Sequence, residues 1–333
     1  MLKKTLIAAI MAAGALTATV ASAEEMKEVN FGIISTESSA NLKSTWDPFL
    51  AAMEKGTGLK INAFFAPDYA GVIEGMRFDK VQVAWFGNKS AMEAVDRSGG
   101  EVFAQTVDGD GNPGYWSLLV THKDSPLNTV EDVLKCDGSL NFGIGDPNST
   151  SGFLVPTTYI FAKNNVEPAE CFKTVRNANH ETNALAAANQ QVDVAANNTE
   201  NMRRLQTTNP EAYAKLKVIW QSPLIPSDPL VWRKELDADI KSKLYTFIMT
   251  YGRMGTPEEV AEARSVLKAL EWAPFRPSSD AQLYPIRILA LNKDMLKVRS
   301  DDKMSDDEKT AKLAELQQQV DEIIKLADNV PSM

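Results

Sequence analysis

The 333-residue chain is poor in the residues that most often bind metals, with only two cysteines and two histidines. Two cysteines exclude a cysteine-rich scaffold and a four-thiolate metal site. Neither histidine has a second histidine or a cysteine at ligand spacing, so the sequence predicts no metal centre.

The sequence also lacks the short motifs of common enzyme classes. It contains no G-x-S-x-G nucleophile elbow, no H-E-x-x-H zinc motif and no P-loop lysine. The segment "DGDGNPG" from Asp108 resembles a calcium loop, but Pro113 stands where the sharp-turn glycine belongs. These absences favour binding over catalysis, and they predict no cofactor.

Long apolar runs are confined to the N-terminus. Lys3 and Lys4 precede an apolar run and the small residues Ala21-Ser22-Ala23, a pattern typical of a cleaved signal peptide over residues 1–23. No later run approaches the roughly 20 apolar residues that span a membrane. The sequence therefore predicts an exported protein.

Charge and length narrow the class further. The formal net charge of −9 argues against nucleic acid and anionic lipid as partners. The chain left after signal-peptide removal is longer than a domain with a single hydrophobic core usually is, so two lobes are expected.

An internal repeat with an offset of 111 residues is the most informative pattern. "NFGII" from Asn30 matches "NFGIG" from Asn141, and "VQVAWFGN" from Val81 matches "VDVAANNT" from Val192. Each half reads as strand, helix, strand, helix and strand, which is the pattern of βαβ units with parallel strands.

The repeat predicts a two-lobed α/β fold in which each lobe is a mostly parallel sheet flanked by helices. Segments around Tyr115 and Pro226 are the candidates for crossing between the lobes. We therefore expect lobe 1 to comprise residues 24–117 and 229–302, lobe 2 to comprise 118–228, and a C-terminal helix to cover 303–333.

Ligands of such sheets bind beyond the carboxyl ends of the strands. At these ends the repeat pairs Ser38 with Ser149 and Tyr69 with His180. Tyr69 and His180 would then face each other across a cleft, although a lone histidine is more often structural.

The segment "GDPNSTSG" after the strand "NFGI" is the strongest candidate site. Ser149, Thr150 and Ser151 could simply cap a helix. However, Gly145 and Gly152 allow close backbone approach, and hydroxyls with free N–H groups at a helix start suit an oxyanion such as phosphonate, phosphate, sulfate or carboxylate.

Two acidic residues lie near the same predicted cleft. Glu200 begins a helix, where the helix dipole alone favours an acid, and Asp228 lies in a crossover turn. Taken together, the two carboxylates would suit an ammonium group of a ligand.

The tail begins with a capping-box pattern of Ser305 and Glu308. An apolar seam follows at spacings of three and four residues: Leu313, Leu316, Val320, Ile323 and Ala327. A seam this short either packs on its own protein or supports a homodimer.

With these residues in place, the sequence resembles the periplasmic phosphonate-binding proteins of bacterial phosphonate ABC transporters, within the type II solute-binding fold. The resemblance covers nearly the whole mature chain and rests on "NFGIISTES", "NAFFAPDYAG", "GDPNSTSGFLVP", "HETNALA", "NNTEN", "SPLIPSDP" and "WAPFR". It implies a periplasmic location, a membrane permease as partner and a binding role rather than catalysis.

The resemblance also implies roles for the candidate residues. Ser149, Thr150 and Ser151 would hold the phosphonate oxygens with Tyr69 and His180. The same resemblance implies that Glu200 and Asp228 would hold the amine of 2-aminoethylphosphonate and that Tyr115 would line the amine end of the site. The alternatives are a binding protein for phosphite, methylphosphonate or another small oxyanion and, less favoured, an exported phosphonate-acting enzyme.

The two cysteines are a departure from that resemblance. Cys136 lies just before the strand "LNFGIGD" and Cys171 just before "FKTVRNA", at the amino ends of strands expected to be neighbours. We therefore predict a disulfide between them.

Overall fold

The computed structural model describes residues 27–329, which form two lobes, each with its own sheet. The predicted signal peptide, residues 1–23, lies outside the described residues. The strands are β1 Glu28–Ile33, β2 Lys60–Phe65, β3 Val83–Trp85, β4 Gly100–Asp108, β5 Gly114–Tyr115, β6 Ser117–His122, β7 Asn141–Ile144, β8 Thr174–Asn177, β9 Val194–Asn198, β10 Leu216–Gln221, β11 Ile225–Pro226, β12 Pro229–Arg233 and β13 Trp272–Pro277.

Helices cover the faces of the sheets and form the C-terminus. They are α1 Ser39–Thr57, α2 Tyr69–Arg77, α3 Asn88–Arg97, α4 Val130–Val133, α5 Pro168–Cys171, α6 His180–Ala188, α7 Thr199–Thr208, α8 Pro210–Tyr213, α9 Ala238–Thr250, α10 Pro257–Ala269, α11 Tyr284–Ser300 and α12 Asp306–Asp328. Polar caps fix many of their starts; Ser38 caps α1, and Asn198 caps α7.

The two sheets share one strand plan. Lobe 1 has the order β2-β1-β3-β12-β4-β13, and lobe 2 has the order β8-β7-β9-β6-β10. In each sheet the first three strands are parallel and the remaining pairs are antiparallel. The sheets expected to be mostly parallel are thus mixed, because the fourth strand of each, β12 or β6, runs against its parallel neighbour. The predicted α/β class is confirmed.

The strand register repeats as the sequence does. Phe31 on β1 is the partner of Val83 on β3, and Phe142 on β7 is the partner of Val194 on β9. Both members of the second pair lie 111 residues after their counterparts. The repeat therefore extends from sequence to strand pairing.

The chain passes between the lobes through a small third sheet. Gly114–Tyr115 pairs antiparallel with Ile225–Pro226, so both crossing segments run side by side. A side chain at Gly114 would place its Cβ 1.9 Å from the carbonyl oxygen of Ile225, so only glycine fits this close approach.

The segment after the candidate loop is less regular than its helical pattern predicts. Residues Thr150–Leu154 and Thr157–Phe161 form π-helical turns, and Ala162–Asn164 forms a 3₁₀ turn. Pro156 interrupts the segment because it has no N–H to donate. Wider turns of this kind occur often at functional sites.

Each lobe has its own aromatic core. In lobe 1, Trp46 contacts the rings of Phe31, Trp85 and Trp272. In lobe 2, the rings of Phe142, Phe161 and Phe172 contact one another. These separate cores leave the space between the lobes to polar side chains.

A disulfide joins Cys136 and Cys171, as predicted from their positions beside β7 and β8. It closes a loop with a sequence separation of 35 residues. A disulfide that closes a loop of this length raises the free energy of unfolding by about 3–4 kcal/mol, chiefly because it restricts the conformations of the unfolded chain.

Replacing both cysteines by serine is therefore expected to lower the free energy of unfolding by about 3–4 kcal/mol. Urea unfolding of the wild type and the double variant measures the difference. Ligand affinity should be unchanged, because the bond lies at the amino ends of strands whose carboxyl ends carry the candidate site. Equal unfolding midpoints would contradict the assigned contribution.

The tail helix α12 begins with the predicted capping box, in which Ser305 and Glu308 bond reciprocally. It packs against α11, and it buries Leu316 and Val320 of the predicted seam, while Ile324 and Leu326 remain exposed. Among residues 27–329, no helix is long and apolar enough to cross a membrane.

Candidate functional site

The structure brings all the predicted ligand-binding residues to one enclosed cavity between the lobes. Lobe 1 contributes Tyr69 and the crossover contributes Tyr115 and Asp228, whereas Ser149, Thr150, Ser151, His180 and Glu200 come from lobe 2. None of these residues is more than 6% exposed. So many buried polar groups at one place indicate a binding site for a polar ligand.

The loop Ser149–Ser151 presents three hydroxyl groups to this cavity. Ser149 Oγ accepts the N–H of Gly152 at 3.0 Å, so it does cap the helical segment. Thr150 Oγ1 accepts the N–H of Lys89 at 2.8 Å, and Ser151 Oγ accepts Asn198 Nδ2 at 3.0 Å. Because a hydroxyl that accepts a bond keeps its own proton, each remains able to donate to an anion.

Glycine makes the tight loop possible. A Cβ at Gly145 would lie 2.6 Å from the Cα atom of Gly152, which is far inside contact distance. The N–H of Gly145 donates to the carbonyl of Gly152 at 2.8 Å. The end of β7 and the start of the helical segment are thereby held against each other.

His180 and Tyr69 occupy equivalent places, as the repeat predicts: each is the first residue of a helix after a strand. Burial lowers the pKa of His180 to about 3, with a further contribution from Arg204, so the ring is neutral at pH 7. Burial raises the pKa of Tyr69, so its hydroxyl keeps its proton. Both side chains can therefore donate one hydrogen bond to an anion without carrying charge.

The acidic side of the cavity holds Asp228, Glu200 and Tyr115. The Tyr115 hydroxyl donates to Asp228 Oδ1 at 3.0 Å. Burial raises the pKa of both carboxyl groups, and the charge of Glu200 raises that of Asp228 further. Within the described residues neither acid has a salt bridge, although the charge of Arg204, which lines the same cavity, opposes the rise in both pKa values.

Sequence reasoning missed other side chains that line the cavity, among them Thr36, Trp85, Asn198 and Arg204. Asn198 is the repeat mate of Gly87, which also lines the cavity, so the offset of 111 could have identified both. Arg204 follows Glu200 by four residues on α7, a spacing that places both on one helix face.

Three polar atoms of cavity-lining residues are buried without a hydrogen-bond partner among the described residues. They are Thr36 Oγ1, Trp85 Nε1 and His180 Nδ1. Unpaired buried groups are rare in proteins, so a polar ligand within reach of these atoms would satisfy them.

A larger groove lies elsewhere, between α1, α9 and α10 of lobe 1, with a volume of about 800 Å³. Its acidic and basic side chains, such as Lys55 and Glu262, are exposed, and none of the predicted residues lines it. In residues 27–329, no cluster of three or more His, Cys, Asp or Glu side chains is arranged to hold a metal ion.

Comparison with known proteins agrees with this fold and cavity. Residues 31–283 match the family described as the periplasmic substrate-binding protein of phosphonate ABC transporters. The chain therefore belongs to the family of periplasmic phosphonate-binding proteins that serve ABC transporters. Members of this family are transport proteins and not enzymes, and their location is the periplasm.

Similar individual proteins point the same way. The chain is 59% identical, over 310 residues, to the phosphonates-binding periplasmic protein of Escherichia coli (strain K12), covering 93% of this chain and 90% of the relative. A solved binding protein component of an ABC phosphonate transporter from Pseudomonas aeruginosa is 55% identical, with a TM-score of 0.87, and the match covers 90% of this chain and 98% of that one.

A more distant structure shows the fold alone. It is a Prochlorococcus marinus protein in complex with methylphosphonate, which is 21% identical to this chain with a TM-score of 0.70. The match covers 80% of this chain and 99% of that one. The type II binding-protein fold predicted from the sequence is confirmed.

Proposed function

We propose that this protein captures 2-aminoethylphosphonate in the interlobe cavity and delivers it to the permease of a phosphonate ABC transporter. The observation that carries the choice of ligand is the buried pair Glu200 and Asp228, which makes no salt bridge among the described residues and whose pKa values burial raises even though Arg204 opposes the shift. Burial and the neighbouring acidic charge make ionisation of both carboxyl groups costly for the fold. A ligand ammonium group would remove that cost.

The phosphonate oxygens are assigned to the hydroxyls of Ser149, Thr150 and Ser151, with Tyr69 and His180 as further donors. All five donors are uncharged, and the cavity has low solvent access. Hydrogen bonds from fixed dipoles to an ionised oxygen are about twice as strong as neutral ones, and exclusion of water strengthens them further. An acidic protein can thus bind an anion, because the dipoles in the cavity and the charged Arg204 that lines it set the local electrostatic field, and the net charge of the protein does not.

The amine is assigned to Glu200 and Asp228, and the ring of Tyr115 lines that end. The hydrogen bond from Tyr115 fixes one oxygen of Asp228 and leaves the other carboxylate oxygen to the ligand. A ligand without an amine would bury the acid pair unpaired. Selectivity for an aminophosphonate follows from this difference.

Calorimetry with the purified protein tests the proposed ligand. We expect 2-aminoethylphosphonate to bind more tightly than methylphosphonate, phosphite or phosphate. Equal affinity for all four ligands, or tighter binding of methylphosphonate, would instead support the alternative of a general small-oxyanion binder.

Two further proposals concern delivery and assembly. Residues 1–23 are proposed to direct export and then to be removed, which mass spectrometry of the periplasmic protein would show as a mature N-terminus at Glu24.

A homodimer through α12 is proposed because Ile324 and Leu326 remain 44% and 55% exposed on it.

Removal of α12 is expected to abolish that dimer. Sedimentation of the mature protein and of a chain ending before Ser305 compares their masses. A monomeric mature protein, or a dimer that survives truncation, would exclude α12 as the dimer contact.

A further inference from the structure

The loop that leaves β1 of lobe 1 contacts lobe 2 through three consecutive residues. The carbonyl of Thr36 accepts the N–H of Glu181 at 3.4 Å, and the N–H of Ser38 donates to Glu181 Oε2 at 2.9 Å. Between them, the carboxylate of Glu37 pairs with Arg204 of α7. Loop 36–38 thus bridges the cleft beside the cavity.

Glu181 is the centre of this contact. Its second oxygen, Oε1, accepts Asn41 Nδ2 at 2.6 Å, so both carboxylate oxygens bind the first turn of α1 across the cleft. The N-terminus of a helix carries a partial positive charge and free N–H groups, which favour an anion at this place.

The internal repeat relates this helix start to the one that faces the cavity in lobe 2. Ser38 and Ser149 are repeat mates, and each side chain accepts the N–H three residues later, at 3.3 Å in lobe 1 and 3.0 Å in lobe 2. In lobe 2 this helix start faces the cavity assigned to the ligand headgroup. In lobe 1 the N–H of Ser38 donates to Glu181, whereas in lobe 2 the N–H of Ser149 donates to the carbonyl of Asp146.

We propose that Glu181 is a positioning residue that holds the lobes closed by binding the start of α1 across the cleft. Glu181 does not line the cavity and so does not act by touching the ligand. The inference rests on the proposed binding function, because closure retains a ligand only if one is bound. It assigns to Glu181 an effect on ligand release that is independent of ligand type.

The contact of Glu181 with the start of α1 should affect ligand affinity by changing the fraction of molecules whose lobes are closed. When only the closed state holds the ligand fully, the apparent affinity falls in proportion to the closed fraction. Glu181 makes two charge-assisted hydrogen bonds across the cleft, and the loss of their charge corresponds to about a 10-fold change.

The test compares Glu181→Gln with Glu170→Gln, which changes an exposed lobe 2 glutamate that makes no described side-chain bond. Stopped-flow kinetics should show that Glu181→Gln speeds release of 2-aminoethylphosphonate and methylphosphonate by the same factor, about 10-fold. Association rates and the thermal midpoint of the ligand-free protein should be unchanged. Wild-type release rates in Glu181→Gln, or a loss confined to the amine ligand, would overturn the proposal.

A second measurement separates this inference from the proposed ligand. Spin labels on one exposed position of each lobe report the interlobe distance, and the native cysteines do not interfere because they are bonded. The closed fraction of the ligand-free protein should be lower in Glu181→Gln than in Glu170→Gln. If the wild type binds no phosphonate, the proposed function fails, while equal closed fractions would overturn the role of Glu181.

Discussion

Replacing Glu200 by glutamine is expected to weaken binding of 2-aminoethylphosphonate about 100-fold and to change methylphosphonate binding little. Loss of one partner of a buried charge pair costs about 2–5 kcal/mol, and each 1.4 kcal/mol is a factor of ten. Glutamine has nearly the same size and shape as glutamate. The substitution therefore removes the negative charge and changes the packing little. Calorimetry with both ligands measures the two affinities.

The matched control is Glu211→Gln, an exposed glutamate on α8 of the same lobe. It should leave both affinities at their wild-type values. A parallel loss of both ligands in Glu200→Gln, with the control unchanged, would remove the assigned role of Glu200 as an amine ligand.

The second large effect concerns stability without ligand. Asp228→Asn is expected to raise the free energy of unfolding of the ligand-free protein by about 1–3 kcal/mol while it weakens binding of the amine ligand. Burial raises the pKa of Asp228, so ionisation costs more in the folded chain than in the unfolded one. The amide keeps an oxygen for the Tyr115 hydroxyl but carries no charge.

The pH dependence gives the sign of this effect. Because the pKa of Asp228 is higher in the folded state, the wild type loses stability as the pH rises from the ordinary range of an aspartate through the raised value. The stability gained by Asp228→Asn should therefore be larger at pH 8 than at pH 5. Urea unfolding at both pH values measures it, and a variant less stable than the wild type at pH 8 would contradict a costly buried charge.

These two predictions together describe an exchange between stability and function. The carboxyl groups that would bind the ammonium destabilise the ligand-free protein. A bound amine would therefore stabilise the protein more than its contact area suggests. Such sites commonly lose stability for the sake of function.

The sequence predicts the fold well because its main signal is a repeat of buried strands. Phe31 and Phe142 mark the same position in two sheets, and that position is fixed by packing within each lobe. The sequence does not predict the antiparallel strands, because β6 and β12 enter their sheets directly after the crossing segments. A local residue pattern identifies such a segment as a strand but does not indicate whether it runs parallel or antiparallel to its neighbours.

Most candidate residues were found where polar side chains directly follow strands or begin helices, whereas Asp228 lies in a crossover turn and the role of Tyr115 rests on the family resemblance. Arg204 and Trp85 carry no such signal, since one lies inside a helix and the other at the end of a buried strand. The closure contact at Glu181 was not predictable, because it depends on how the lobes meet. Only tertiary structure sets that arrangement.

The crystal structure of the complex with 2-aminoethylphosphonate tests the central proposal most directly. We expect the phosphonate oxygens within hydrogen-bond distance of the Ser149, Thr150 and Ser151 hydroxyls, and the nitrogen between Glu200 and Asp228. A ligand in the reverse orientation, or with its amine directed away from both carboxylates, would contradict the two-ended site.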